Sequence, residues 1–287
     1  MKKIIDIVDK LSPGEGFNST NLSEIGIYRA SYAQKRAPLL YDQGVMICVQ
    51  GEKKIYLEES VYQYNKDNYL VVTVPLPIEY EIFIEDNKPL LAITVDINIQ
   101  LLNTIIHLMG QSIDYNKFSY NENESGLYTA GVNAEFQEIV YRLLKVLQSK
   151  EDTNVLGKSI YQELLYYILK SSNSAPLYAL TTKNSKLSKV EMALKEIHNN
   201  FSKSIQVEDL AKIVSMSSSS FHYAFKEVTS SSPIQYIKKI RLDKARTYII
   251  QDGLRVNEAA SKVGYESVSQ FSREFKRYYG ASPKEFS

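Results

Sequence analysis

The sequence predicts an α+β chain of two domains, because its apolar residues follow two different periods in succession. Between Glu24 and Val95, short runs of β-branched and aromatic residues alternate with turn formers, a pattern typical of an antiparallel sandwich or small barrel. After Ile97 the apolar residues recur at helical spacing, and near the C-terminus one helical pattern occurs twice. A β-barrel with a helical hairpin, followed by an all-helical domain, accounts for these observations.

The predicted strands of the front domain are rich in Val, Ile, Tyr and Phe, and Gly, Asn, Asp or Pro separates them. No helical pattern interrupts the series, which favours antiparallel pairing. The strands cover residues 45–49, 54–57, 69–74, 80–84 and 90–95.

Apolar stripes at helical spacing begin at Leu101, Phe136 and Leu156. The third stripe runs to Leu169 and either packs on the β-domain or faces a second subunit. A polar stretch without periodicity follows and predicts a linker. The predicted boundaries are a β-barrel at 1–100, a helical dimerisation segment at 101–170, the linker at 171–188 and an all-helical domain at 189–287.

Composition and charge limit the function classes. The single cysteine, Cys48, excludes a disulfide framework and indicates a reducing, cytoplasmic compartment. No stretch is apolar for long enough to predict a signal peptide or a membrane span. Residues 189–287 hold 16 Lys and Arg against 11 Asp and Glu, a net charge of +5, which leaves −4 for residues 1–188. This asymmetry fits a DNA-binding module attached to a domain that stays off DNA, with chance variation as the alternative.

The repeated C-terminal pattern predicts two helix-turn-helix units, in which a second helix presents a polar face to a DNA major groove. The copies are offset by 49 residues before the turn and by 50 after it. Their matching residues are Ala211, Val214, Ser215, Met216, Phe221, Phe225 and Lys226 in the first copy and Ala260, Val263, Gly264, Tyr265, Phe271, Phe275 and Lys276 in the second.

The helical period assigns the outer faces of both second helices. A long helix from Pro233 to Ile250 would separate the units by roughly 25 Å, so both can enter successive major-groove segments. The predicted DNA-binding residues are Ser218, Ser219, His222, Tyr223 and Lys226 in the first unit and Ser267, Ser269, Gln270, Arg273, Lys276 and Arg277 in the second.

These residues resemble the C-terminal DNA-binding domain of AraC/XylS-type transcription regulators, which implies double-stranded promoter DNA as a partner. Tyr223 and Ser230 depart from the family, where Arg and Gly are frequent. The resemblance rests on Ser232-Pro233, Tyr236, Arg241-Leu242, Ala245, Val256, Ala260, Val263-Gly264-Tyr265, Ser267, Phe271, Arg273, Phe275-Lys276, Tyr279-Gly280 and Ser282-Pro283.

Residues 27–31, 47–54, 69–72 and 89–92 are similar to the N-terminal cupin-like domain of one subgroup of these regulators. The resemblance implies a small effector inside the barrel and a homodimer, and it leaves contact with RNA polymerase open. Arg29 would pair an anionic effector if it faces inward and is a surface charge otherwise. The candidate effector-binding residues are Arg29, Tyr41, Cys48 and Tyr80.

Catalysis and resident cofactors or metals are not expected. Metal-dependent cupins need His and carboxylate ligands on strands, whereas His107, His198 and His222 all fall in predicted helices. Two alternatives stay open: a regulator whose front domain only dimerises, and a cupin-like binding protein or enzyme whose C-terminal helices contact other proteins.

The two units are unequal, which predicts that the second anchors the protein. The first either discriminates between sequences or is the unit that regulation engages. Tyr223→Arg adds a cation to the weakly charged first face and should give tighter but less selective DNA binding. Gel shifts with specific and random duplexes at one salt concentration measure both quantities. An unchanged affinity for random DNA would contradict this division.

Overall fold

The computed structural model of the chain describes residues 2–84, 86–110 and 126–286. These residues form ten strands, and the predicted α+β architecture is confirmed. The strands are β1 (Gly16–Ser19), β2 (Ile25–Ala30), β3 (Gln34–Tyr41), β4 (Gly44–Gln50), β5 (Glu52–Leu57), β6 (Ser60–Tyr64), β7 (Asn68–Val72), β8 (Leu76–Phe83), β9 (Leu90–Val95) and β10 (Leu127–Gly131).

Twelve α-helices surround or follow the strands in the described part of the chain, with a π-helical turn at Thr153–Gly157 and a 3-10 turn at Pro283–Glu285. They are α1 (Lys2–Leu11), α2 (Ile99–Met109), α3 (Ala134–Leu147), α4 (Lys150–Asp152), α5 (Lys158–Leu169), α6 (Ala175–Thr181), α7 (Lys186–Asn200), α8 (Val207–Ile213), α9 (Ser218–Thr229), α10 (Pro233–Ile250), α11 (Val256–Lys262) and α12 (Val268–Tyr279). None of the helices in these ranges has the length and apolar character that a membrane span requires.

The strands pair antiparallel in two sheets, as the run of short strands predicts. The first sheet has the order β1-β2-β9-β4-β7-β10 and the second the order β3-β8-β5-β6. In β5 one face of the strand enters the core: Lys53, Ile55 and Leu57 are buried, whereas the residues between them are half-buried. Pro38 lies in β3, an edge strand, where a missing backbone N–H is tolerated.

The helical layer after β9 buries most of its apolar residues within this chain. Leu164, Leu165 and Ile168 are buried, and α5 packs on α2 and α3. Only the start of the third predicted stripe is exposed, since Leu156 in the π-helical turn keeps 47% of its surface. The stripe therefore packs mainly inside its own chain.

The segment expected to be a linker, 171–188, contains a helix. α6 lies within it, and its residues Pro176, Leu177 and Tyr178 are buried. α7 already begins at Lys186. Tertiary burial overrides the polar composition here because α6 packs on α2 and α7. Similarly, the segment predicted to be helical contains a strand, β10. It forms a strand because it pairs with β7 and completes the edge of the first sheet.

The long helix α10 joins both C-terminal units, and its predicted bounds are confirmed. Arg241 fixes it to the second unit by donating to the carbonyls of Phe201 (2.7 Å), Lys203 (2.8 Å) and Gly264 (3.3 Å). These three bonds hold the end of α7 and the turn after α11 against one side chain. Planar guanidinium donors suit several carbonyls at once.

A seam of hydrogen bonds joins the C-terminal units to the β-domain. The buried Tyr236 of α10 donates its hydroxyl hydrogen to the Pro75 carbonyl, at 2.9 Å. A hydroxyl has one hydrogen, so the Nε2–H of His198 donates to the Tyr236 oxygen, also at 2.9 Å. Beside them, the backbone N–H of Gly126 donates to the Val228 carbonyl (3.2 Å).

The seam predicts a pH dependence of stability. Burial, with a smaller contribution from Lys244, lowers the pKa of His198 from 6.5 to about 4. The unfolded chain therefore binds more protons between these values, so the free energy of unfolding should fall as pH drops from 6.5 toward 4.

His198→Gln keeps an N–H donor for Tyr236 and should flatten this part of the profile, whereas His222→Gln, at an exposed position on α9, should not. Urea unfolding across that pH range measures the effect. Equal slopes in the wild type and His198→Gln would contradict it.

Candidate DNA interface and barrel site

The two C-terminal units share one turn geometry. Ser215 and Gly264, at matching positions, both adopt a left-handed backbone, with φ of 54° and 85°. Each turn is closed by a hydrogen bond that reaches back five residues, from Met216 N to Ala211 O (2.9 Å) and from Tyr265 N to Ala260 O (3.0 Å). The repeat in the sequence is therefore a repeat in structure.

The second helices also begin and pack alike. Ser217 caps α9 by accepting from Ser220 N, and Ser267 caps α12 by accepting from Gln270 N. Inside each unit a phenylalanine pair has ring centroids 5.5 Å apart and planes at 56°. The pairs are Phe221 with Phe225 and Phe271 with Phe275.

All predicted DNA-binding side chains lie on exposed surface of α9, of α12 and of the cap before α12. They form two faces, which we call the α9 face and the α12 face. The α9 face comprises Ser218, Ser219, His222, Tyr223 and Lys226; the α12 face comprises Ser267, Ser269, Gln270, Arg273, Lys276 and Arg277.

The α12 face is the more basic of the two. With a 50-residue offset, Arg273 stands where the α9 face has Tyr223, and Arg277 stands where α9 has Glu227. Glu227 is itself neutralised by Lys186 of α7, at 2.7 Å. The Lys186 ammonium also lies 5.6 Å from the Tyr223 ring centroid, while that ring stays 66% exposed. The tyrosine is thus positioned beside an ion pair and remains free to contact a ligand.

The departure from glycine at Ser230 has a structural cost. Ser230 ends α9 in the left-handed region with φ of 55°, as Gly280 ends α12 with φ of 79°. A side chain in this conformation costs about 1 kcal/mol relative to glycine. The first unit therefore carries strain that the second lacks.

The barrel brings together three of the four candidate effector residues. Tyr41 and Cys48 are buried and Tyr80 is half-buried around one amine, that of Lys53. Its Nζ lies 4.8 Å from the Tyr41 ring centroid and 4.5 Å from that of Tyr80. We call Lys53 with the rings of Tyr28, Tyr41 and Tyr80 the barrel cage.

Arg29 does not join the barrel cage. Strand alternation places it on the opposite face of β2 from Tyr28, whose ring faces Lys53. There its guanidinium pairs with Asp9 of α1 at 2.6 Å and donates to the Ser12 carbonyl. Of the two expectations for Arg29, the structure agrees with the outward one.

Lys53 is the residue that sequence reasoning missed, although a signal was present. It is in phase with Ile55 and Leu57 along β5, which places it on the buried face. Cys48 of β4, in the other sheet, is buried too, and burial raises the pKa of its thiol to about 12. Such a thiol stays protonated, which agrees with a packing role and not with a reactive one.

Comparison with known proteins identifies the class to which this architecture belongs. A family model described as the AraC-type transcriptional regulator N-terminus matches residues 21–175, and a helix-turn-helix domain model matches residues 210–287. The first match covers more than half of the chain, so the chain belongs to the AraC-type transcriptional regulators.

Two curated relatives are regulators of sugar operons. The raffinose operon transcriptional regulatory protein RafR of Pediococcus pentosaceus is 30% identical over 53% of this chain and 53% of its own length. The lactose operon transcription activator of Staphylococcus xylosus is 26% identical over 53% of this chain and 54% of its own. The chain thus spans about half the length of the curated relatives it matches.

A solved structure with the same two-domain layout is that of ToxT from Vibrio cholerae with an unsaturated fatty acid bound. It has a TM-score of 0.64 and 12% identity, and the match covers 93% of this chain and 96% of ToxT. The likeness establishes the shared fold.

Two glycines of the second unit, Gly264 in its turn and Gly280 at the end of α12, predict a contrast in stability. A Cβ at Gly264 would overlap the Ser202 carbonyl oxygen, whereas one at Gly280 meets no atom within 4 Å. Both have positive φ, so Gly280→Ala should cost about 1 kcal/mol and Gly264→Ala about 3 kcal/mol or more. Urea unfolding of both variants measures the difference, and equal losses would contradict the close approach.

Proposed function

We propose that the protein is a sequence-specific regulator that binds promoter DNA through the α9 and α12 faces together. The observation that carries this proposal is the repeated turn geometry with two exposed polar faces on one chain. The helix that joins them is 18 residues, or roughly 27 Å, long. This length suits two entries into neighbouring major-groove segments on one side of a duplex.

The two faces have different tasks in this proposal. Arg273, Lys276 and Arg277 give the α12 face the charge that phosphate contacts need, so this face anchors the protein. The α9 face offers serine hydroxyls, His222 and Tyr223, which suit selective contacts to base edges more than general attraction. Because the α9 face carries less charge, attraction to phosphates contributes less to its binding, and contacts to base edges contribute more.

An effector in the β-domain controls this binding. Supporting it are the match to the N-terminal model of the family and the cluster of Tyr41, Cys48 and Tyr80 around one buried amine. The named relatives act on raffinose and lactose operons, and ToxT has been solved with a fatty acid. Binding shifts the equilibrium between domain arrangements only as far as the effector's affinities for them differ.

The remaining partners follow from the same class. A homodimer, contact with RNA polymerase at an activated promoter and a cytoplasmic location are consistent with a DNA-binding regulator, and no catalytic step is part of the proposal. The main alternative is an effector-independent regulator whose β-domain only dimerises. Thermal-shift screening of the full chain separates the two, because only a sensing domain is stabilised by a small ligand.

Substitutions on the α12 face test DNA binding. Arg273→Ala and Gln270→Ala should each weaken binding to the promoter site that footprinting identifies. The expected loss is roughly ten- to hundredfold, since each variant removes base or phosphate contacts. Lys66→Ala removes one exposed charge from a turn of the β-domain and is the matched control.

Footprinting and gel shifts at several salt concentrations supply the measurement. The proposal fails if the wild type gives no specific footprint, or if Arg273→Ala and Gln270→Ala both bind as Lys66→Ala does.

A further inference from the structure

The amine of Lys53 is buried in the barrel among three tyrosine rings. The residue is 4% exposed, and its Nζ donates to the Tyr41 hydroxyl at 3.3 Å. The ring centroids of Tyr28, Tyr41 and Tyr80 lie 5.2, 4.8 and 4.5 Å from Nζ. Within residues 2–84, 86–110 and 126–286, no ion pair includes Lys53.

In the described part of the chain, the groups that surround the amine do not supply a negative charge. Burial raises the pKa of Tyr28 and of Cys48 to about 12 and raises those of Tyr41 and Tyr64 too, so all four stay neutral. Behind Tyr80, Arg246 of α10 adds further positive potential. Among the described residues, the titratable groups beside the amine are Tyr28 on β2, Tyr41 on β3, Cys48 on β4, Tyr64 on β6 and Tyr80 on β8. Two carboxylates lie further out, Glu15 near Tyr28 and Glu52 near Cys48, and neither forms an ion pair with Lys53.

An unpaired buried amine is costly to keep charged. Burial lowers the pKa of Lys53 to about 7. Replacing a lysine at this position by an apolar residue would remove that cost, so its presence needs a reason beyond packing. A negatively charged ligand next to Nζ would supply both the counter-charge and the missing acceptor.

We propose that the barrel cage binds the carboxylate of a small organic monoanion, with Lys53 as its counter-ion and the Tyr41 hydroxyl beside it. This assignment rests on the proposed effector-sensing function and names the ligand class. Tyr28 and Tyr80 are only half-buried, so the cage is partly exposed to solvent on their side.

The surroundings favour a monocarboxylate with an apolar body over a phosphate or a sugar. One cation matches one negative charge, whereas a phosphate dianion needs more donors than a single ammonium offers. Ile55 and Ile82 lie further along the same buried faces. Their side chains have no hydrogen-bonding group for the many hydroxyls of a sugar. The hydroxyls of Tyr41 and Tyr64 already bond to one another at 2.7 Å.

Carboxylate binding is coupled to proton uptake. A bound anion favours the charged amine and raises its pKa above the value of about 7 in the free protein. Above that pH the free protein holds Lys53 mostly neutral, so each binding event takes up a proton from the buffer. Affinity for the carboxylate should therefore fall as pH rises above 7.

Calorimetry on the full chain above pH 7, in two buffers of different ionisation enthalpy, tests the proposal. The probes are sodium acetate, octanoate and benzoate, with 1-octanol as the neutral counterpart, and inorganic phosphate and raffinose for comparison. We expect a monocarboxylate to bind with proton uptake, and Lys53→Met to weaken it by roughly ten- to hundredfold. Lys54→Met is the matched control, because Lys54 lies on the opposite face of the same strand.

Lys53→Arg provides the second variant, since it keeps the charge and should retain most of the affinity for the carboxylate. The proposal is overturned if no monocarboxylate binds, if Lys53→Met binds it as tightly as Lys54→Met does, or if raffinose or phosphate binds in its place. DNA binding is measured separately on unliganded Lys53→Met. A specific footprint without carboxylate binding leaves the proposed function standing and removes only the ligand class.

Discussion

One helix, α10, sets the geometry on which the other parts of this molecule depend. Along its 18 residues it contributes Tyr236 to the first unit and to the seam with the β-domain, and Arg241 to the turn of the second unit. A straight helix transmits the position of one end to the other, because each residue is hydrogen-bonded to its neighbours one turn away. The spacing of the α9 and α12 faces is therefore a property of α10.

The same helix would couple a ligand bound in the barrel to the α9 and α12 faces. α10 packs on β3 and β8, the strands that carry Tyr41 and Tyr80 of the barrel cage, and Arg246 lies near Tyr80. A carboxylate beside Lys53 changes the charge next to these side chains without moving the covalent frame. The ligand then favours the arrangement of α10 and the β-domain in which the liganded cage has the lower free energy.

Much of the fold could be predicted because its elements follow regular periods. The strand pattern predicts the bounds of β9, and Pro233 predicts the start of α10. The repeat predicts both helix-turn-helix turns. α6 and β10 could not, since burial against distant elements decides their structure and local propensity does not. Lys53 was missed for a related reason: lysine is rarely buried, so residue type obscured the alternation that places it inside. Arg29 shows the converse. Side chains alternate between the two faces of a strand, so this cation, one residue after Tyr28, lies outside the barrel.

The rigidity of α10 is tested most directly with DNA sites that differ only in the spacing of the segments read by the two faces. Base pairs are inserted between these segments and affinities are measured at one salt concentration. If α10 fixes the faces, each insertion weakens binding about as much as destroying the α9 segment altogether. Binding that tolerates several insertions with little loss would show that the two units move independently and would contradict the account.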